Sequence, residues 1–298
     1  MKKEFKMNLK KIVSIIAIVA IIGFVFFSCE EDPGKTSYGE NLKLSGQVYN
    51  YLDSGEIDSK ALMGAMVSGD WKTVEKTIND HMFPKTEKFE GSLDIEEKGG
   101  NSGKITSGSF SFEMGAPDSD YLDDIQYYLD EMKEDGYTNV DADNKSVQIY
   151  QLGGFGVKNP NKYYYLGRGN SSGSKVTIDK GSVSSNINYD VVVYIYVTDK
   201  VKITAKGFTD KEDGINFTFK DINLSLKKGW NVVKTTGKIE TKGGSLSAGG
   251  EPSMSSAMGT GTGTVSQSLG DADTKWILDF SPYGSGFGNN GEEENEYE

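Results

Sequence analysis

Among 298 residues there is one cysteine, Cys29, one histidine, His81, and one arginine, Arg168. Each scarcity closes off a chemistry. A lone cysteine cannot form a disulfide within the chain or build a thiolate metal site, so the fold has to be held by its core. A lone histidine has no second imidazole to join it on zinc. A serine–histidine–aspartate triad would have to be built on His81, which lies in "INDHMFP" just before Pro84. That position reads as the end of a helix, where a structural or solvent-facing role is expected. One arginine leaves almost no bidentate grip for phosphate or carboxylate, because the other cations are lysines.

Long hydrophobic runs are also scarce, with one exception. Lys2, Lys3, Lys6, Lys10 and Lys11 precede an apolar stretch from Ile12 to Phe27. A basic start and an apolar core form the layout of a secretory signal. At sixteen residues the run is slightly long for a signal core and short for a spanning helix, so length alone leaves an uncleaved helix open. The run ends in Phe26-Phe27-Ser28-Cys29, followed by Glu30, Glu31 and Asp32. This junction resembles the lipobox of bacterial lipoproteins. The resemblance covers residues 1 to about 32. It implies a diacylglycerol on the Cys29 sulfur, cleavage just before it, and an acylated new amino terminus. Two or more acyl chains give stable anchoring to a membrane. The acids after the cysteine resemble the surface-export signal of lipoproteins in some Gram-negative groups. The expected location is therefore the bacterial cell envelope, at the outer membrane or cell surface rather than the inner membrane.

Setting aside residues 1–28, with five lysines and one glutamate, leaves 27 basic and 43 acidic residues, a net charge near −16. Such a chain repels nucleic acid, and no nucleic-acid partner is expected. "DADNK" at 141–145 begins like a calcium loop but puts Lys145 at the third ligand position and lacks the glycine. "GTGTGTV" at 259–265 has neither the spacing nor the lysine of a phosphate loop. No metal and no cofactor are expected.

The rest of the chain reads as strands. "LKLSGQVY", "FEGSLDIEE", "KITSGSFSFEM", "SVQIYQL", "KVTID" and "VKITAKGF" alternate or carry β-branched residues. "DVVVYIYV" is apolar on both parities, which predicts a central strand covered on both faces, with Val193 and Ile195 in the core. In "INFTFKDINLSL" the apolar parity switches near Lys220-Asp221, predicting a bulge or a break into two strands. "FTDKEDGI" and "RGNSSGSK" read as hairpin loops, although the second could also link two domains. Residues 243–270 read as a loop or a weakly patterned hairpin. Residues 59–82 predict one or two short helices ended by Pro84. Residues 118–135 predict an amphipathic helix with the stripe Leu122, Ile125, Leu129 and Met132, stopped by Gly136.

These elements predict a mainly β fold, an antiparallel β-sandwich or open barrel with one amphipathic helix and short N-terminal helices. The expected organisation is a signal peptide (1–28), a tether (29–40), one β-rich domain (41–281) and an acidic disordered tail (282–298).

"NKYYYLGRGN" is the most suggestive binding feature. Strand alternation puts Tyr163 and Tyr165 on one face and Tyr164 on the other with Leu166. Tyrosine offers flat apolar area plus a hydroxyl, which suits sugars and protein partners. Tyr163 and Tyr165, with Arg168 close by, form the candidate ligand site for a glycan or an envelope protein. The expectation is a non-catalytic binding or adhesion lipoprotein. The alternatives are a structural or accessory lipoprotein docking on other envelope proteins, and a carbohydrate-active enzyme using paired carboxylates.

Overall fold

A computed structural model describes residues 37–279, apart from 53–57, 97–101, 161, 172, 213, 247–258 and 271–273. The signal, the lipobox-like junction, most of the tether and the acidic tail lie outside the described residues. The first part of the chain forms strands β1 (Ser37–Gly39) and β2 (Leu42–Tyr51), helices α1 (Ser59–Ser68) and α2 (Trp71–Met82), then β3 (Thr86–Lys88), β4 (Leu93–Glu96), β5 (Ser102–Ile105) and β6 (Ser109–Met114). The middle part forms β7 (Asp123–Asp124), helix α3 (Ile125–Glu134), β8 (Thr138–Ala142), β9 (Gln148–Leu152), β10 (Gly154–Asn159), β11 (Lys162–Asn170) and β12 (Lys175–Asp179). The last part is all strand: β13 (Ser182–Val197), β14 (Val201–Lys206), β15 (Phe208–Glu212), β16 (Ile215–Phe219), β17 (Ile222–Leu226), β18 (Gly229–Ser245), β19 (Gly259–Leu269) and β20 (Lys275–Leu278).

The fold is mainly β and sandwich-like, with a large sheet, a small antiparallel sheet β17–β14–β8 and three short α-helices among the described residues. The long ribbon β13–β18 is its spine, paired from Ser182↔Ser245 to Val197↔Gly229. As the two-parity pattern predicts, both faces of this ribbon are covered near the end of β13. Ile195 and Val197 point into a first core with α3, the small sheet, β16 and β19. Val192, Tyr194 and Tyr196 point into a second core with β2, β4, β5, β6, β10, β11 and β20. Val193 is half-buried against the first core. A third, smaller core packs Ala65 and Val74 of α1 and α2 on Val176, Ile178 and Val183. The sheet is mixed rather than purely antiparallel, because β16–β19 and β2–β20 pair in parallel. It does not close into a barrel. β5 and β6 are joined by a tight turn and one bridge, Thr106↔Ser109.

Some local expectations hold and others change. "KITSGSFSFEM" is a hairpin rather than one strand, because Ser107 (φ 48°) and Gly108 (φ 72°) make the double left-handed turn that two-residue hairpins favour. Residues 59–82 form two helices. Asp58 and Asp70 cap them by accepting from Lys60, Ala61 and Thr73 backbone amides, and Gly69 (φ 72°) ends the first. α3 begins at Ile125, not at 118. Asp124 is the N-cap, accepting from the Gln126 amide at 2.7 Å, while the preceding residues make a 3₁₀ turn and pair with β9. Leu122 therefore leaves the helix stripe and packs against the second core, and Tyr128 takes a place beside Ile125, Leu129 and Met132. "FTDKE" is a strand paired with β16. The chain does break at Lys220-Asp221, with β16 in the large sheet and β17 in the small one. β11 and β12 do not form a hairpin; both pair with β13. "GTGTGTV" lies in β19, hydrogen-bonded on both sides by β18 and β16.

Candidate functional site

The stretch "GGFGVKNPNKYYYLGRGN" folds into the hairpin β10–β11, in register from Gly154↔Gly167 to Asn159↔Lys162. Phe155 and Val157 of β10 and Leu166 of β11 fill the second core, which fixes the opposite parity as the outer face. Tyr163 and Tyr165 both point outward, with 64 % and 37 % of their surface exposed. Tyr164 points inward and is half-buried against the second core, with the Lys162 ammonium 4.5 Å from its ring centre. The sequence alternation thus holds through all three tyrosines.

The two outward rings lie down across the neighbouring strand. Tyr163 covers Gly156 and Tyr165 covers Gly154. A Cβ added at Gly156 would strike the Tyr163 hydroxyl and come within 2.7 Å of its Cζ. A Cβ at Gly154 would come within 2.6 Å of Cζ and hydroxyl of Tyr165. The glycines of β10 therefore form a floor that leaves room for the outer ends of both rings. The Tyr165 hydroxyl is tucked against this floor. Desolvation at that spot pushes its pKa up to about 12. The backbone beside Tyr165 is locked by Asp279, whose carboxylate accepts from the Tyr165 amide at 3.0 Å and whose own amide donates to the Tyr165 carbonyl.

A charged row borders the rings on the same face. Lys158 stands opposite Tyr163, Asp94 opposite Lys158, and Lys104 opposite Asp94, the last two ion-paired at 3.4 Å. On the other side, past β20, Tyr49 carries the Lys275 ammonium 4.9 Å above its ring.

Arg168 is not part of this surface. It lies five positions from Tyr163, so strand alternation turns it to the inner face, and the expectation of an arginine beside the tyrosine pair is corrected. Its Nη1 donates to the Tyr194 hydroxyl at 3.2 Å, and its guanidinium lies 5.6 Å from the Trp276 ring centre. Trp276 stacks on Tyr194 (7° between planes) and meets Phe110 edge-on. Arg168 is thus the polar edge of an aromatic cluster.

The residues that sequence reading missed are Gly154, Gly156, Lys158 and Tyr49. The alternating "GGFG" beside a tyrosine run was the available signal, but it acquires meaning only when the register between the two strands is known. His81 closes α2 in its last turn. Among the described residues, no group of three or more histidine, cysteine, aspartate or glutamate side chains is arranged to hold a metal ion. No described helix is long and apolar enough to cross a membrane. No protein-family model matches the chain, and neither the curated proteins nor the solved structures give a match.

Proposed function

We propose that this chain is a lipid-anchored protein of a bacterial envelope whose β-rich part is a non-catalytic binding module. The Cys29 junction, with its basic and apolar approach, supports the anchor. The observation that carries the binding reading is the outward pair Tyr163 and Tyr165 of β11, exposed and laid over the glycines of β10. Among the described residues the other exposed large hydrophobic side chains, Leu52, Val67, Tyr121 and Tyr127, lie outside β10 and β11. The ligand side of the module is therefore the outer face of β10–β11, and the acids Glu30, Glu31 and Asp32 direct display at the surface.

Two measurements test this. Cys29→Ala should stop palmitate labelling and leave an uncleaved precursor; a labelled, normally processed variant would refute the anchor. Tyr163→Ala with Tyr165→Ala should abolish adhesion of the protein to isolated envelope material with little change in melting temperature. Tyr164→Ala should do the reverse, lowering stability and sparing adhesion. Adhesion that survives the double replacement would remove this surface from the function.

A further inference from the structure

We infer that the tyrosine pair is a stacking site for a neutral, β-linked pyranose chain lying along β11; the inference rests on the binding reading above and names its ligand. Three observations favour this occupant. The first is size. With exposures of 64 % and 37 %, the two rings offer roughly 200 Å² of open aromatic surface. A specific protein interface takes about 800 Å² from each partner. A single sugar chain needs only a narrow strip.

The second is shape. Both side chains reach over β10, with the outer end of Tyr163 above Gly156 and that of Tyr165 above Gly154, rather than standing off the sheet. They start two residues apart on one strand, about 6.6 Å along it. Both are aimed the same way, over β10. A pyranose whose substituents are all equatorial has a flat C–H face of matching kind, and its hydroxyls point outward around the rim. The row Lys158, Asp94 and Lys104 stands beside Tyr163 and supplies both donors and acceptors at that rim.

The third is charge. The chain beyond Ser28 carries a net charge near −16, which disfavours polyanionic glycans and leaves neutral ones. Axial hydroxyls or α-linkages break the flat face, so chains of that kind should stack poorly.

Gly156 supplies a selective test. A methyl there meets the far end of the Tyr163 side chain, whereas one at Gly154 also meets the Leu166 carbonyl at 2.5 Å. Gly156→Ala should therefore tilt the Tyr163 ring off the sheet while keeping the tyrosine and the fold. The full chain, in detergent, is titrated with cellohexaose, chitohexaose, maltohexaose and heparin, and read by tyrosine difference absorbance and calorimetry. Binding of cellohexaose or chitohexaose is expected, weakened about tenfold or more by Gly156→Ala and by the double tyrosine replacement. Maltohexaose and heparin should bind much more weakly. Failure of both β-linked chains to bind the unaltered protein would overturn the inference, as would β-glycan binding that Gly156→Ala and the tyrosine pair leave unchanged. If envelope adhesion is lost in the double variant but no β-glycan binds, the binding module stands and its ligand is not this glycan. If adhesion survives, the module's site itself falls.

Discussion

Arg168 shows how one residue's side of a strand decides its work. On β11 it faces Tyr194 and Trp276, so its guanidinium lies beside the Trp276 ring and donates inward. Arg168→Ala should therefore act on stability, costing about 1–3 kcal/mol through the lost hydrogen bond, with further loss from packing. Envelope adhesion of the folded protein should be unchanged; a stable variant that no longer adheres would return Arg168 to the ligand surface. Alternation was enough to separate Tyr164 from Tyr163 and Tyr165, and the same rule, applied as far as 168, separates the arginine too. What alternation could not supply is the floor under the rings. Gly156 stands opposite Tyr165, yet it is covered by Tyr163, two positions away. That diagonal relation depends on the pairing of two strands and is not written in either one.

At the scale of elements, the middles are more legible than the ends. The stripe of α3 is legible, but its start is not, because acids at 118–124 resemble a charged first turn. Asp124 wins as cap because the Ile125 amide is taken by the Val147 carbonyl and the residues before it are drawn into pairing with β9. The other end of α3 has a consequence for pH. Asp135, beside Glu131 and Glu134, has its pKa raised to about 6 by desolvation and then by those two acids. A carboxyl that holds its proton more tightly when folded contributes stability at low pH and loses it as pH rises from about 4 to about 6. Lysine contacts at Asp130 and Asp221 lower those pKa values, so they work the other way and lose their contribution as pH falls through the acid range. Asp135→Asn should raise the melting temperature at pH 7 and leave it unchanged near pH 4; equal melting at both would show that the carboxylate is not strained.

Strand β12 illustrates an element completed by another. Its edge is capped by side chains of α2. Asn79 donates to the Val176 carbonyl at 2.7 Å and accepts from the Val176 amide at 2.8 Å, and Glu75 accepts from the Ile178 amide at 2.7 Å. The spacing of Glu75 and Asn79, one helical turn, matches alternate residues of a strand well enough to imitate a neighbouring strand. Without it β12 would offer a pairing edge. Asn79→Ala should cost about 1–3 kcal/mol, and it should give concentration-dependent self-association in sedimentation. A monomeric variant of unchanged stability would show the cap to be dispensable.

At the scale of the whole molecule, the ribbon β13–β18 ties the cores together. Along β13 alone, Val183 belongs to the third core, Ile195 to the first and Tyr194 to the second. Damage on one face should therefore reach the other through a shared backbone. Two tryptophans, Trp230 and Trp276, report the second core, and Trp71 sits against the third. In a Trp71→Phe background, fluorescence follows the second core, while far-UV circular dichroism follows the strands as a whole. Ile195 is fully buried in the first core. Ile195→Ala should cost about 2–5 kcal/mol, and Val193→Ala, at a half-buried neighbour, should cost less. If the ribbon couples the cores, Ile195→Ala moves the fluorescence and dichroism midpoints in urea together, although no tryptophan of the second core lies on the damaged side. A dichroism midpoint that falls while the fluorescence midpoint stays in place would mean that the two cores unfold as independent units, and that the shared strand is only a physical boundary between them.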